Sequence, residues 1–197
     1  MRVLLKLLAA SIFAAVLSLP AAAADDGIGK FVGNIVASLL PDGRNMKLEQ
    51  PFGFIDSKGN HWDVPAGVQT DGASIPQIFW ITHPPFTGKY RYAAVIHDHY
   101  CRTRERTWQE THNVFYEAMR AAGVEERTAK VMWAAVYRMG PRWGGPGLAT
   151  RSIHPAPPPP PLEKQSEFMN DLDAWMAREN PSRELIAKVM ETGRVPK

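Results

Sequence analysis

Cysteine is nearly missing from this chain. Cys101 stands alone among 197 residues, so no internal disulfide can form and the fold must rest on its core. An excess of one charge is missing as well: 23 Lys and Arg face 20 Asp and Glu. Two of the basic residues, Arg2 and Lys6, lie in a leader-like N-terminus whose removal takes the net charge from +3 to +1. A balance that close gives no electrostatic footprint for nucleic acid. Residues 7–19 form an apolar run too short to span a bilayer, and no comparable run follows. No internal repeat is visible, which excludes solenoid and propeller architectures.

What is present begins with an export signal over residues 1–24. Arg2 and Lys6 supply a basic start, residues 7–19 the apolar stretch, and Ala22-Ala23-Ala24 a small-residue cleavage site. The protein is therefore expected to be secreted or periplasmic. Four segments follow from composition: the leader, a domain over 25–143, a Gly/Pro-rich linker over 144–163, and a helical tail over 164–197.

Within the domain, residues 25–40 space Ile28, Phe31, Ile35 and Leu39 in a weak helical pattern, despite several glycines. Residues 47–68 instead predict short strands. Phe52 and Phe54 alternate, Ser57-Lys58-Gly59-Asn60 is a hairpin turn, and the chain returns through Trp62. Three helices follow. The first covers 90–101, and the second starts at an N-cap Thr107 with Glu110 completing a capping box. The third covers 125–139 and is stopped by Gly140-Pro141. In the tail, Phe168, Leu172, Trp175 and Met176 mark one amphipathic helix, and Leu185, Ile186, Val189 and Met190 another, for which docking back onto the domain is the simplest role. The expected class is α+β, mainly α: a helical core over 70–140 with a small N-terminal hairpin or sheet and a helical tail.

The chemistry-bearing residues gather in two places. His97 and Asp98 follow an Ala-Val-Ile run on the first helix, and neighbouring helix positions diverge by about 100°, so each meets a different surrounding. That suits a base beside a metal ligand, and it equally suits a core histidine beside a solvated aspartate. Asp71-Gly72 can turn tightly enough to converge carboxylate and carbonyl oxygens on a hard cation such as Ca²⁺, or can form a plain Asx-turn. His112, on the second helix, can look toward the first. His61, His83, His99 and His154 read as turn, loop or surface residues, and Cys101 as a buried, inert thiol with no base beside it.

The run Thr70-Asp71-Gly72, His97-Asp98-x-Tyr100, Phe115-Tyr116-Glu117-x-Met119 and Trp133-x-x-x-Tyr137 resembles the bacterial secreted phospholipases A2 over residues 70–140. It is still more similar to a domain-of-unknown-function family of phages and bacteria that carries Thr-Asp-Gly-Ala-Ser and His-Asp-x-x-Tyr blocks. The phospholipase resemblance implies that His97 is the base that deprotonates water. It also implies that Asp98, Asp71 and the Gly72 carbonyl hold Ca²⁺, that Tyr100 braces the helix pair, and that a phospholipid membrane surface is the partner. It implies a catalytic partner for His97 at His112, where the family places an aspartate. A neutral imidazole cannot offset a histidinium as a carboxylate does, and losing that carboxylate costs about 10⁴ in turnover in a comparable triad.

Three functions follow. The first is a Ca²⁺-dependent ester hydrolase of phospholipids. The second is a non-catalytic binding or structural module that contacts a protein partner through the tail. The third is a transition-metal hydrolase in which Asp71, His97, Asp98 and His112 hold a zinc-like ion.

Overall fold

The computed structural model describes residues 27–43, 45–71, 88–144 and 161–197. The expected leader, Gly72, His83, His154 and most of the linker lie outside the described residues.

Six short strands open the chain. β1 (Lys30–Val32), β4 (Phe52–Ile55) and β5 (His61–Val64) form one antiparallel sheet in the order β1-β4-β5. β2 (Ala37–Leu39), β3 (Met46–Leu48) and β6 (Gln69–Thr70) form a second in the order β2-β3-β6. The alternation at Phe52, Phe54, Trp62 and Val64 works as read, because all four side chains are buried on one face. Phe54 stands opposite Trp62 and Phe52 opposite Val64.

Asp56 organises the turn between β4 and β5. Its carboxylate accepts from the Lys58 and Asn60 amides at 3.0 and 2.8 Å, and from the Asn60 amide group and the Trp62 indole at 2.9 and 3.0 Å. Gly59, at φ +81°, supplies the left-handed residue that the turn needs.

The helical pattern over 25–40 is overturned: the segment forms β1 and β2. Gly29 shows why. A β-carbon there would lie 2.1 Å from the Ile55 carbonyl oxygen, so close strand pairing requires glycine at that position. Phe31 then packs on Phe52 and Phe54, with ring centres 5.6 and 5.0 Å away. Ile28 and Leu39, which a helix would have buried, remain exposed.

Five helices make up the rest: α1 (Arg91–Thr103), α2 (Trp108–Ala121), α3 (Glu126–Met139), α4 (Leu162–Glu179) and α5 (Arg183–Thr192). The protein is thus α+β and mainly helical. Thr107 and Glu110 form the capping box of α2, each side chain bonded to the other's backbone amide at 3.2 and 2.9 Å. Glu125 caps α3 through the Arg127 and Thr128 amides. α1 packs on α2, and α2 on α3; α4 and α5 lie against α3.

The tail is well fastened. Leu172, Trp175, Met176, Ile186 and Met190 are buried. Arg183 lies over the rings of Tyr116 and Trp133 at 4.6 and 5.1 Å, and bonds Asn113 at 2.8 Å. Most of the tail's apolar side is therefore taken up by the domain. Among the described residues, no helix is long and apolar enough to cross a membrane.

Burial pushes the Asp56 carboxyl up, but the bonds from Trp62, Asn60 and Lys58 outweigh it and hold the group below its usual range. Its stabilisation is therefore complete above the unfolded value of 3.8 and fades as pH falls through the lowered one. Asp56→Ala should cost about 1–2 kcal/mol in urea denaturation at pH 7, the partly exposed site keeping the loss modest, and less near pH 2. Equal stability of variant and wild type at pH 7 would refute this role.

Candidate metal centre

The apolar faces of α1 and α2 bring their polar residues together at one buried point. His97 Nε2 lies 2.9 Å from His112 Nδ1, and both rings are fully buried. Cys101, one turn after His97 on the same helix face, places its Sγ 3.5 Å from His97 Nε2 and 3.8 Å from Nδ1. One ligand atom from each of His97, Cys101 and His112 lies within 4.8 Å of the others. Phe115 packs on the His97 ring at 4.9 Å, and Trp108 and Trp143 meet the His112 ring at 5.5 and 6.2 Å.

These apolar walls set the electrostatics. Burial, with His112 close by, holds His97 well below the ordinary histidine range. Burial brings His112 down to about 4, with the Pro141 carbonyl opposing the shift and Arg142 adding to it. Both imidazoles are therefore neutral near pH 7, the form that binds metal. Burial, reinforced by Asp98, pushes the Cys101 thiol far up, against the pull of Arg102 and Arg104. A coordinated cation would reverse that, because metal binding deprotonates a thiol.

Asp98 is not the solvated residue that the bland reading expected. It is 1% exposed, and its Oδ2 accepts from Thr70 Oγ1 at 2.5 Å. The end of β6 is thereby tied to α1, next to Asp71, which is partly buried. His99 is also buried rather than superficial; its ring meets Tyr100 edge-on at 5.2 Å, and burial lowers its pKa. His61 is exposed, as read.

Tyr100 does not brace the helix pair. Its hydroxyl accepts from the Asp63 amide at 3.0 Å and holds α1 against β5. The spacing explains the change of role. Tyr100 follows His97 by three positions, one fewer than in a His-Asp-x-x-Tyr block, and the position one full turn from His97 belongs to Cys101. An imidazole does stand beside Cys101, contrary to the reading of a thiol with no base beside it, while burial still keeps the thiol protonated. The i, i+4 spacing of His97 and Cys101 was the signal that could have found it.

Structure and site together define a mainly helical α+β domain around a buried His-Cys-His cluster. Residues 46–136, from β3 through most of α3, match the model of the family described as protein of unknown function (DUF1353). Two uncharacterized proteins of Sinorhizobium fredii (strain NBRC 101917 / NGR234) are similar. One, y4jT, is 50% identical over 98 residues, covering 49% of this chain and 29% of its own. The other, y4iH, is 43% identical over 120 residues, covering 58% and 48%. The chain thus spans less than half the length of these curated relatives. No solved structure matches.

Thr70→Val removes a donor from a buried carboxylate and should cost about 1–3 kcal/mol. Urea denaturation measures it, and an unchanged midpoint would show that the bond to Asp98 contributes nothing.

Proposed function

We propose that the protein is a metal-dependent hydrolase whose ion, zinc or a similar one, is held by His97, Cys101 and His112. The observation that carries this reading is the convergence of three nitrogen and sulfur donors from two facing helices on one buried point. With metal–nitrogen bonds of about 2.05 Å and a metal–sulfur bond of about 2.3 Å, a tetrahedral site needs N···S near 3.5 Å and N···N near 3.3 Å. The His97–Cys101 pair already has 3.5 Å, the two rings at 2.9 Å must part by roughly 0.4 Å, and Cys101 and His112 lie within 4.8 Å of one another. Three protein ligands leave a fourth position for water, the pattern of catalytic rather than structural zinc. Zinc bound in this way lowers the pKa of its water to near 7 and polarises an ester or phosphoryl oxygen.

The donor set favours a borderline ion over calcium, which prefers oxygen. It also accounts for an imidazole at position 112, where phospholipases A2 carry an aspartate: a histidine there is a ligand. Phe115, Trp108 and Trp143 pack on the two imidazoles and lower the local dielectric, which strengthens the interactions within.

A second reading, the Ca²⁺-dependent phospholipase-like hydrolase with His97 as base, is favoured by one contact. Thr70 bonds Asp98 and so brings the chain leading to Asp71 against α1, on the side where Asp71, Gly72 and Asp98 would serve calcium.

Metal analysis of protein purified without chelator decides between them. The first reading expects one zinc-like ion per chain, lost from His112→Ala and Cys101→Ala. Hydrolysis of p-nitrophenyl esters should stop with EDTA and return with Zn²⁺. Metal-free protein that takes up no Zn²⁺ in equilibrium dialysis would end that reading. Fatty-acid release from phospholipid vesicles, restored by Ca²⁺ alone, would establish the second.

A further inference from the structure

We propose that Arg104, seconded by Arg142, binds an oxyanion over the metal centre, so that the substrate carries a phosphate or carboxylate group. This rests on the hydrolase reading above and names the class of substrate for the same site.

The first observation is conformational. Arg104 is the C-cap of α1 at φ 56°, ψ 30°, and its amide closes the helix onto the Tyr100 carbonyl at 2.9 Å. That left-handed region suits glycine, and a residue with a β-carbon is strained in it. Elsewhere the chain follows the rule: Gly123 stands just past α2, Gly193 caps α5, and Asn180, of a type that tolerates the conformation, caps α4. Among the described residues, Arg104 is the one bulky side chain at positive φ. Helix termination does not explain an arginine there, because glycine would end α1 at lower cost. Strain of this kind gathers at functional positions.

The second observation is where the side chain lies. The Arg104 guanidinium is 6.0 Å from the Trp143 ring centre, and the Arg142 guanidinium is 4.6 Å from that of Trp108. Trp108 and Trp143 are the two indoles against His112. Each cation therefore lies against one of the two indoles that wall the centre.

Their neighbours are committed elsewhere. Arg102 donates to the Gln69 carbonyl. Arg106 lies over Trp62 and donates to the His61 carbonyl at 3.3 Å. Among the described residues, the Arg104 guanidinium makes no hydrogen bond or ion pair. Arg142 uses one nitrogen on the Tyr137 carbonyl. Of the nearby acids, Glu110 is occupied by Thr107, and Glu105 is exposed, bearing on His99 and Tyr100. A guanidinium stacked on an indole keeps its edge open, and that edge matches two oxygens of a phosphate or carboxylate. An ester held in this way would present its scissile group to the centre below.

The test uses Arg104→Gly in the full chain. Glycine suits the backbone, so the variant should melt at or above the wild-type temperature and keep its zinc content. Phenyl phosphate and phenylacetate are the probes, titrated by isothermal calorimetry into zinc-loaded and zinc-free protein; whichever binds names the anionic group. The expected result is an affinity about tenfold or more weaker in Arg104→Gly, and weaker also in Arg142→Met, which keeps the stem over Trp108. Wild-type affinity in Arg104→Gly would overturn the proposal, as would binding by zinc-loaded protein alone that the substitution leaves unchanged. Binding that depends on Arg104 in a protein that never takes up zinc would instead remove the metal reading and leave the anion site standing.

Discussion

The contact between His97 on α1 and His112 on α2 is the constraint around which the helical core is arranged. Two buried imidazoles 2.9 Å apart can share a single proton, and neither can gain a charge without large desolvation cost. Such a pair tolerates little sliding of one helix past the other. The surrounding structure fixes the register from outside: the Thr107 capping box sets where α2 begins, Tyr100 holds α1 against β5, and Thr70 bonds Asp98. Each joins a helix to a defined point of the strand region or of the preceding turn. The short sheets are thus a jig for the two helices.

The donor types differ between the helix-facing and strand-facing sides of α1. The donors of the centre are two nitrogens and a sulfur, while the oxygen ligands suited to a harder ion, Asp71 and Asp98, lie on the strand side of α1. α1 therefore contributes donors to two different surroundings, His97 and Cys101 to one and Asp98 to the other, separated by the 100° between positions 97 and 98. That divergence was visible in the sequence. Which face would gather a third donor was not, because the i, i+4 pair His97 and Cys101 meets His112 only through the packing of α1 on α2.

Much of the helical part was legible. Thr107 with Glu110, the glycine after α2 and the apolar stripes of α2 and α3 are local signals that packing reinforces. The phase of His112 toward α1 followed from the same periodicity. The hairpin at Ser57-Lys58-Gly59-Asn60 was equally plain, since its turn chemistry is local. Residues 25–40 misled because Ile28, Phe31, Ile35 and Leu39 mimic a helical stripe, while the deciding fact, the close approach of Gly29 to Ile55, is a contact across the sheet. Arg104 was invisible for a different reason: arginine signals no turn, and only the backbone angle shows it in a glycine's place.

The exit of the chain from α3 has one more consequence. Trp143 donates its indole hydrogen to the Arg106 carbonyl at 2.8 Å while its ring forms a wall of the centre. The chain just after α3 is therefore pinned to the turn joining α1 and α2, beside the His-Cys-His cluster. Any shift of the turn joining α1 and α2 therefore carries with it the indole packed against His112, and the wall of the cluster and that turn move as one piece.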